Sequence, residues 1–455
     1  MKFKSPRGMA GFSVIWIGQI ISVLASSMSQ FGLSLWMYKQ TESATAMGLM
    51  QVFFITPFLL LSPIAGVMVD RYNRKLMMMV SDLMAVIATG GIFILMSLGK
   101  LEFWHLYISA VLNGLGNTFQ WPAYSAAIST MVPKAQLGRV NGMMTLIEAG
   151  PGVVAPLLAG ALLPVIGLSG ILGIDVATFF FAISTLAIAH VPQPAKTEEG
   201  KQAQGNVMKE AAYGFRYIFA RPSLLGLQLI FFAGNLLAGV AFTVVPPMIL
   251  AKTNQNSLIF GTVQTAGAIG MVIGSVAMSA WGGFKKRVHG VLLGWAYAGL
   301  IGTFLLGLNF GLPLWITVMA VGGLSMPLIN SSNQAIWQSK VAPDLQGRVF
   351  SARRLIAWLA NPISPIIGGT LADFVLEPAF RNATPLAKSF GRLVGTGPGA
   401  GMGFIQIICG LLITIVGISG YFVRSIRDVD QILPDFEPVE EPAAAVSQVT
   451  LAEEA

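Results

Sequence analysis

The chain has 455 residues, 54% hydrophobic and 11% charged, with a formal net charge of +8. Soluble domains carry roughly 25% charged residues, so a water-soluble globular fold is excluded and a bilayer is the expected solvent. The single cysteine, Cys409, excludes a disulfide framework or a cysteine metal site, and His105, His190 and His289 lack ligand spacing, so no cofactor or metal is expected.

In chain order, the apolar runs predict spans at about 11–37, 46–69, 76–98, 103–129, 140–166, 169–189, 223–250, 258–281, 288–308, 312–336, 349–374 and 401–423. Each is close to the roughly 20 residues that cross hydrocarbon as a helix, and continuous apolar runs do not suit a barrel. The expected class is therefore an all-α integral membrane protein with twelve transmembrane helices. The first run follows Lys2, Lys4 and Arg7 and is too long for a signal-peptide core, so it reads as a retained span. A very short turn near Gly167 must separate the fifth and sixth spans.

Alternate loops hold very different amounts of Lys and Arg. If the N-terminus is cytoplasmic, 22 of them fall inside and 6 outside, making the total of 28. This places both termini in the cytoplasm and reads the positive charge as an orientation signal, with no nucleic-acid partner. The longest polar stretch, 191–222, reads as a cytoplasmic connector carrying an amphipathic helix over 207–220, with Ala211, Phe215 and Ile218 at helical spacing. It divides an N-terminal six-helix bundle (1–190) from a C-terminal one (223–427), followed by a disordered acidic tail (428–455). The outer stretch 377–400, ending in Gly395-Thr-Gly-Pro-Gly-Ala-Gly, reads as a flexible turn.

An internal repeat supports two halves. Gly138-Arg139-Val140 precedes Ala155-Pro156, and Gly347-Arg348-Val349 precedes Ser364-Pro365, with arginine and proline 17 residues apart in both. Because each half has an even number of spans, the repeats run parallel.

The stretch Gly66-Val-Met-Val-Asp70-Arg71-Tyr-Asn-Arg74-Lys75 joins the second and third spans. With twelve spans, parallel halves and a long central loop, it resembles the signature loop of the major facilitator superfamily. Trp16-x-Gly18-Gln19-x-x-Ser22, Gly138-Arg139-Val140-Asn141 and the Glu377-Pro378 loop resemble its drug:proton antiporter group, which includes macrolide-efflux proteins and the enterobactin exporter. The fourth span lacks the arginine that many such antiporters carry, and the fifth has Ala155-Pro156-Leu-Leu-Ala159-Gly160 where they have Gly-Pro-x-x-Gly-Gly. The resemblance implies that Gly66, Asp70, Arg71, Arg74, Lys75, Arg139 and Arg348 form a conformational latch, Asp70 facing the start of the eleventh helix.

Polar residues within spans are expensive and therefore informative. Gln19, Ser22, Ser26 and Gln30 share a face of the first span; Asn113, Asn117 and Gln120 lie on the fourth, Gln228 and Asn235 on the seventh, and Asn330, Asn333 and Gln334 on the tenth. In the resembling superfamily these four helices line the central cavity. With Phe31, Trp36, Phe119, Trp121, Phe231 and Trp337 they predict an amphipathic, mostly uncharged cavity for a bulky organic molecule. The alternative is that such amides only join neighbouring helices. Glu148, about two turns into the fifth span, is the candidate for proton exchange, against a structural pairing with a base such as Arg353. Asp175 and Asp373 read as interfacial and solvated, and Asp82 as a partner of Arg74 or Lys75.

The expected function is export of an amphipathic drug, macrolide or siderophore-like compound by alternating access with proton antiport. The expected protein is a monomer of the cell inner membrane, with a small-molecule substrate, protons and the lipid bilayer as partners. No catalytic constellation supports a lipid-active enzyme. Import, lipid flipping, and a non-transporting receptor or scaffold of the same fold are the alternatives.

Overall fold

The structure, a computed structural model, describes residues 6–132, 137–192, 207–341, 343–382 and 384–435. Ten helices among these are long and apolar enough to cross a membrane. In chain order the helices begin with α1 (Gly8–Thr41), α2 (Ala44–Arg71) and α3 (Arg74–Ser97), followed by α4 (Phe103–Met131), which is not among the ten, and the 52-residue α5 (Leu137–Ile188). Gly167 interrupts α5 at φ 66° and ψ 176°, a backbone that L side chains avoid, so the chain reverses there without a loop. Counting α4 and both arms of α5, the first half makes six crossings.

The second half opens with α6 (Val207–Phe219), then α7 (Pro222–Lys252) and α8 (Ser257–Trp281). Next comes α9 (Arg287–Tyr297), which continues through a π turn at Ala298–Phe304. The next crossing is α10 (Leu312–Gly323) with α11 (Ser325–Lys340), and another is α12 (Pro343–Trp358) with α13 (Ala360–Thr370). Each of these two breaks precedes a proline, Pro327 or Pro362, whose missing N–H leaves the carbonyl four residues earlier unpaired. The chain continues through a π turn at Leu371–Leu376 into α14 (Glu377–Arg381), then α15 (Pro385–Val394) and α16 (Ala400–Phe422). The fold is all-α, consistent with twelve crossings in two parallel six-helix halves.

Short polar caps end the apolar helices: Ser43, Asn73 and Asn256 accept from the backbone N–H of Ala46, Leu76 and Ile259. One end of the bundle carries Gly8, the α2–α3 turn and α6, and is called the terminal face below; the opposite end carries the α1–α2 and α7–α8 turns and is the distal face. Close helix contact depends on glycine. A Cβ on Gly114 of α4 would lie 2.1 Å from the Phe54 carbonyl oxygen of α2, and one on Gly261 of α8 would lie 2.3 Å from that of Pro156.

The apolar face of α6 packs on the bundle: Ile218 is fully buried among Leu224, Trp337 and Val349, with Phe215 packed against that cluster. Two stretches differ from the sequence expectation. The stretch after Leu376 is not a simple flexible turn, because α14 and α15 are helical and the buried Glu377 carboxylate accepts from the N–H groups of Gly399 (3.2 Å) and Met402 (3.1 Å). This carboxylate satisfies the start of α16, where the glycines prevent ordinary capping. The tail is ordered as far as Asp435, since Lys340 Nζ reaches the carbonyl of Asp430 (3.1 Å) and the carboxylate of Asp435 (2.8 Å). Residues 436–455 lie outside the described residues.

Candidate functional site

In the first half, three helices bring their polar residues to one point. Asp82 on α3 is 6% exposed, and its Oδ1 accepts from Gln120 Nε2 of α4 at 3.0 Å. Its Oδ2 accepts from Gln19 Nε2 of α1 at 3.2 Å, and Gln120 Nε2 also reaches Gln19 Oε1 at 3.1 Å. Gln19 and Gln120, predicted from helical spacing, therefore meet around a carboxylate that was predicted to pair with Arg74 or Lys75. Lys75 instead donates to the carbonyls of Ala187 (2.7 Å) and Ala189 (2.9 Å), bracing α3 against the end of α5. Among the described residues no Lys, Arg or His forms a salt bridge with Asp82, which lies about 12 Å along α3 from its start at 1.5 Å per residue.

The other predicted residues of this half divide. Ser26 donates to Asp175 Oδ1 at 2.9 Å, and Asp175 is 1% exposed, so it is a buried helix contact and not a solvated interfacial acid. Asn113 turns back to the Ser109 carbonyl of its own helix at 3.0 Å. Ser22 is buried, while Gln30 and Asn117 are exposed. Phe31 stacks on Phe260 at 4.7 Å, across the two halves.

The second half holds a cavity of about 380 Å³. Gln228, Phe231 and Asn235 of α7 form one wall, and Asn330, Asn333 and Gln334 of α11 another; Phe350, Arg353, Arg354 and Trp358 of α12 close it. The amides were predicted at these positions. The arginines were not, and they correct the expectation of a mostly uncharged cavity. Arg353 lies 5.4 Å from the ring centre of Trp337 and 5.6 Å from that of Phe350, while Arg354 sits 4.3 Å over Trp358. Trp337 is fully buried and donates from Nε1 to Asn333 Oδ1 at 3.0 Å.

The halves meet toward the distal face. Asp373, beyond α13, accepts from the hydroxyl of Ser43 and from the N–H groups of Ala44 (2.9 Å) and Thr45 (2.8 Å), so a carboxylate of the second half caps α2 of the first. It too was expected to be solvated. Ser257 Oγ donates to the Gly160 carbonyl (3.1 Å) and Thr265 Oγ1 to that of Val153 (3.0 Å), joining α8 to α5. At the terminal face Gly66, Asp70, Arg71, Arg139 and Arg348, and deeper along α5 Glu148, lie on helical backbone, and their side chains are outside the described residues; of the expected latch, the described side chains are Arg74, which is buried, and Lys75, which is half-buried.

Helical halves that enclose polar clusters and close at one face define a membrane transport fold, one that moves solutes and makes or breaks no bond. Residues 15–365 match the family model of the Major Facilitator Superfamily, and the chain belongs to that family. It is 28% identical to macrolide efflux protein A of Streptococcus pyogenes over 80% of this chain and 89% of the relative. It is 26% identical to the multidrug efflux pump Tap of Mycolicibacterium fortuitum, over 74% and 82%, and 22% identical to the enterobactin exporter EntS of Escherichia coli, over 84% and 89%. Among solved structures, a bacterial homologue of the human lysosomal transporter Spinster, inward-facing and unoccupied, aligns with a TM-score of 0.67 at 14% identity, covering 91% of this chain and 97% of that one. The chain is a multi-pass membrane transporter of a small molecule.

Proposed function

We propose that the chain exports amphipathic organic compounds across the cell inner membrane by alternating access, in exchange for protons. The carrying observation is Asp82, a buried carboxylate held by Gln19 and Gln120 on three helices, with no salt bridge among the described residues. A carboxylate in such a place serves antiport if it takes a proton from the outside and gives it up when water enters from the cytoplasm. Its two glutamine partners can rotate their amides toward substrate as the proton arrives, which ties the two loads to one site. The terminal face, rich in Lys and Arg, is the cytoplasmic one in this reading, both termini lie there, and the distal closure corresponds to an inward-facing resting state. Asp70 with Arg71, Arg139 and Arg348 forms the opposing cytoplasmic latch, and Glu148 is a second carboxyl on the proton route. The chain works as a monomer, and the efflux relatives support the outward direction.

The test is transport in proteoliposomes with an imposed pH gradient, using a panel of macrolides, siderophores and dyes. Wild-type protein moves at least one compound against the proton flow; Asp82→Asn binds the same compound but loses gradient-driven movement. No movement of any compound, or movement that ignores the gradient, would refute the reading.

A further inference from the structure

We propose that the cavity between α7, α11 and α12 binds an oxyanion carried by the transported compound, a carboxylate or a phosphate, with Arg353 as its principal ligand. This deepens the transport reading and rests on it. Arg353 Nη1 is shielded from solvent and has no hydrogen-bond partner, although a guanidinium without its partners is costly to bury. Among the described residues lining the cavity there is no aspartate or glutamate, so none of these balances the charge. The group that fits a planar donor fork is an oxyanion, taken through two parallel N–H bonds.

The surroundings hold that fork in place. Trp337 and Phe350 flank Arg353 at 5.4 and 5.6 Å, and Trp337 is itself fixed by its bond to Asn333. Gln228 Nε2 donates to the Arg353 carbonyl at 3.2 Å, tying α7 to the turn that carries the arginine, while Gln228 Oε1 is also buried without a partner. It can accept a hydroxyl or amide N–H next to the acidic group. Arg354 adds a second positive charge over Trp358. A volume of about 380 Å³ suits an acidic head group with one or two rings, so the remainder of an amphipathic compound must extend toward the other half. The two halves thus carry opposite polarity, a carboxylate at Asp82 and a guanidinium at Arg353.

The experiment uses the full chain in phosphatidylcholine nanodiscs with 1-pyrenebutyrate and 1-pyrenebutanol, which share a body and differ in the acid. Energy transfer from tryptophan to pyrene reads binding, since Trp337 and Trp358 border the site. The carboxylate is expected to bind at least tenfold more tightly than the alcohol. Arg353→Gln brings the ratio below threefold, and Arg353→Lys, a point charge without the fork, gives an intermediate ratio. Displacement of pyrenebutyrate by phosphatidylglycerol in the disc assigns the oxyanion to a lipid headgroup; displacement by phenyl phosphate alone assigns it to a soluble compound. Equal affinities of the two probes for the wild type, displacement by neither anion, or a normally melting Arg353→Gln that keeps the preference would overturn the proposal. The wild-type ratio decides even if Arg353→Gln does not fold. Binding is read without a gradient, so loss of anion preference leaves the antiport reading standing, and loss of transport with the preference intact faults only the antiport reading.

Discussion

Replacing Asp373 with asparagine should open the distal face. The carboxylate accepts from Ser43, Ala44 and Thr45, at the positive end of α2. Asparagine keeps one acceptor oxygen and turns an NH2 group toward donors. A charge-assisted hydrogen bond contributes about 1.5–3 kcal/mol and an anion at a helix N-terminus about 0.3–1 kcal/mol. Water and Ser43 itself recover part of this when the halves separate, since Ser43 already caps Ala46. A net loss of about 2 kcal/mol is a roughly 30-fold shift toward the distal-open state. A wild type with about 1% of molecules open would then show roughly a quarter open in the variant. Spin labels on cysteines at Lys100 and Asn254, one exposed distal position in each half, report the separation as a distance distribution. The variant should gain a longer population. An unchanged distribution in a protein that melts like the wild type would refute the role given to Asp373.

Gly261→Ala places a Cβ 2.3 Å from the Pro156 carbonyl oxygen, so it should wedge α8 from α5, lower stability by about 1–3 kcal/mol in thermal unfolding and raise the distal-open population in the same label pair. Lys340→Met removes the ammonium that holds the tail, and hydrogen exchange over 428–435 should rise while the bundle stays protected. The hydrogen bond from Lys340 holds the Asp435 carboxyl below its usual range. Because a depressed value stabilises docking at high pH and loses it as pH falls through that value, tail protection should be flat from pH 5 to 8 and drop below about pH 4 in the wild type. In Lys340→Met it should be absent throughout.

Membrane class and span positions were legible because burial in lipid constrains every residue of a span, and Gly167 stood out because two apolar runs met with nothing polar between them. The glutamines were legible because Gln19 and Gln120 sit on helical faces that must turn inward. Asp82 as their shared partner was not, since its own helix gives no sign of which neighbours α1 and α4 present to it. Asp373 and Ser43 are 330 positions apart, and no local pattern marks a carboxylate that caps another half's helix. Glu377 was lost in a glycine-rich stretch whose start depends on it. Arg353 was read only as a possible partner of Glu148, because the cavity it enters with Arg354 exists only once α7, α11 and α12 are packed.

In this mechanism substrate is exchanged for protons at Asp82. Its most direct test loads proteoliposomes with a pH-sensitive dye and adds each compound of the panel outside, with protein-free vesicles subtracted. Entry of a transported compound down its gradient should drive protons out and make the lumen more alkaline, and Asp82→Asn should abolish that change. Entry of the compound with no protein-dependent change in lumen pH, or an equal change with Asp82→Asn, would contradict it.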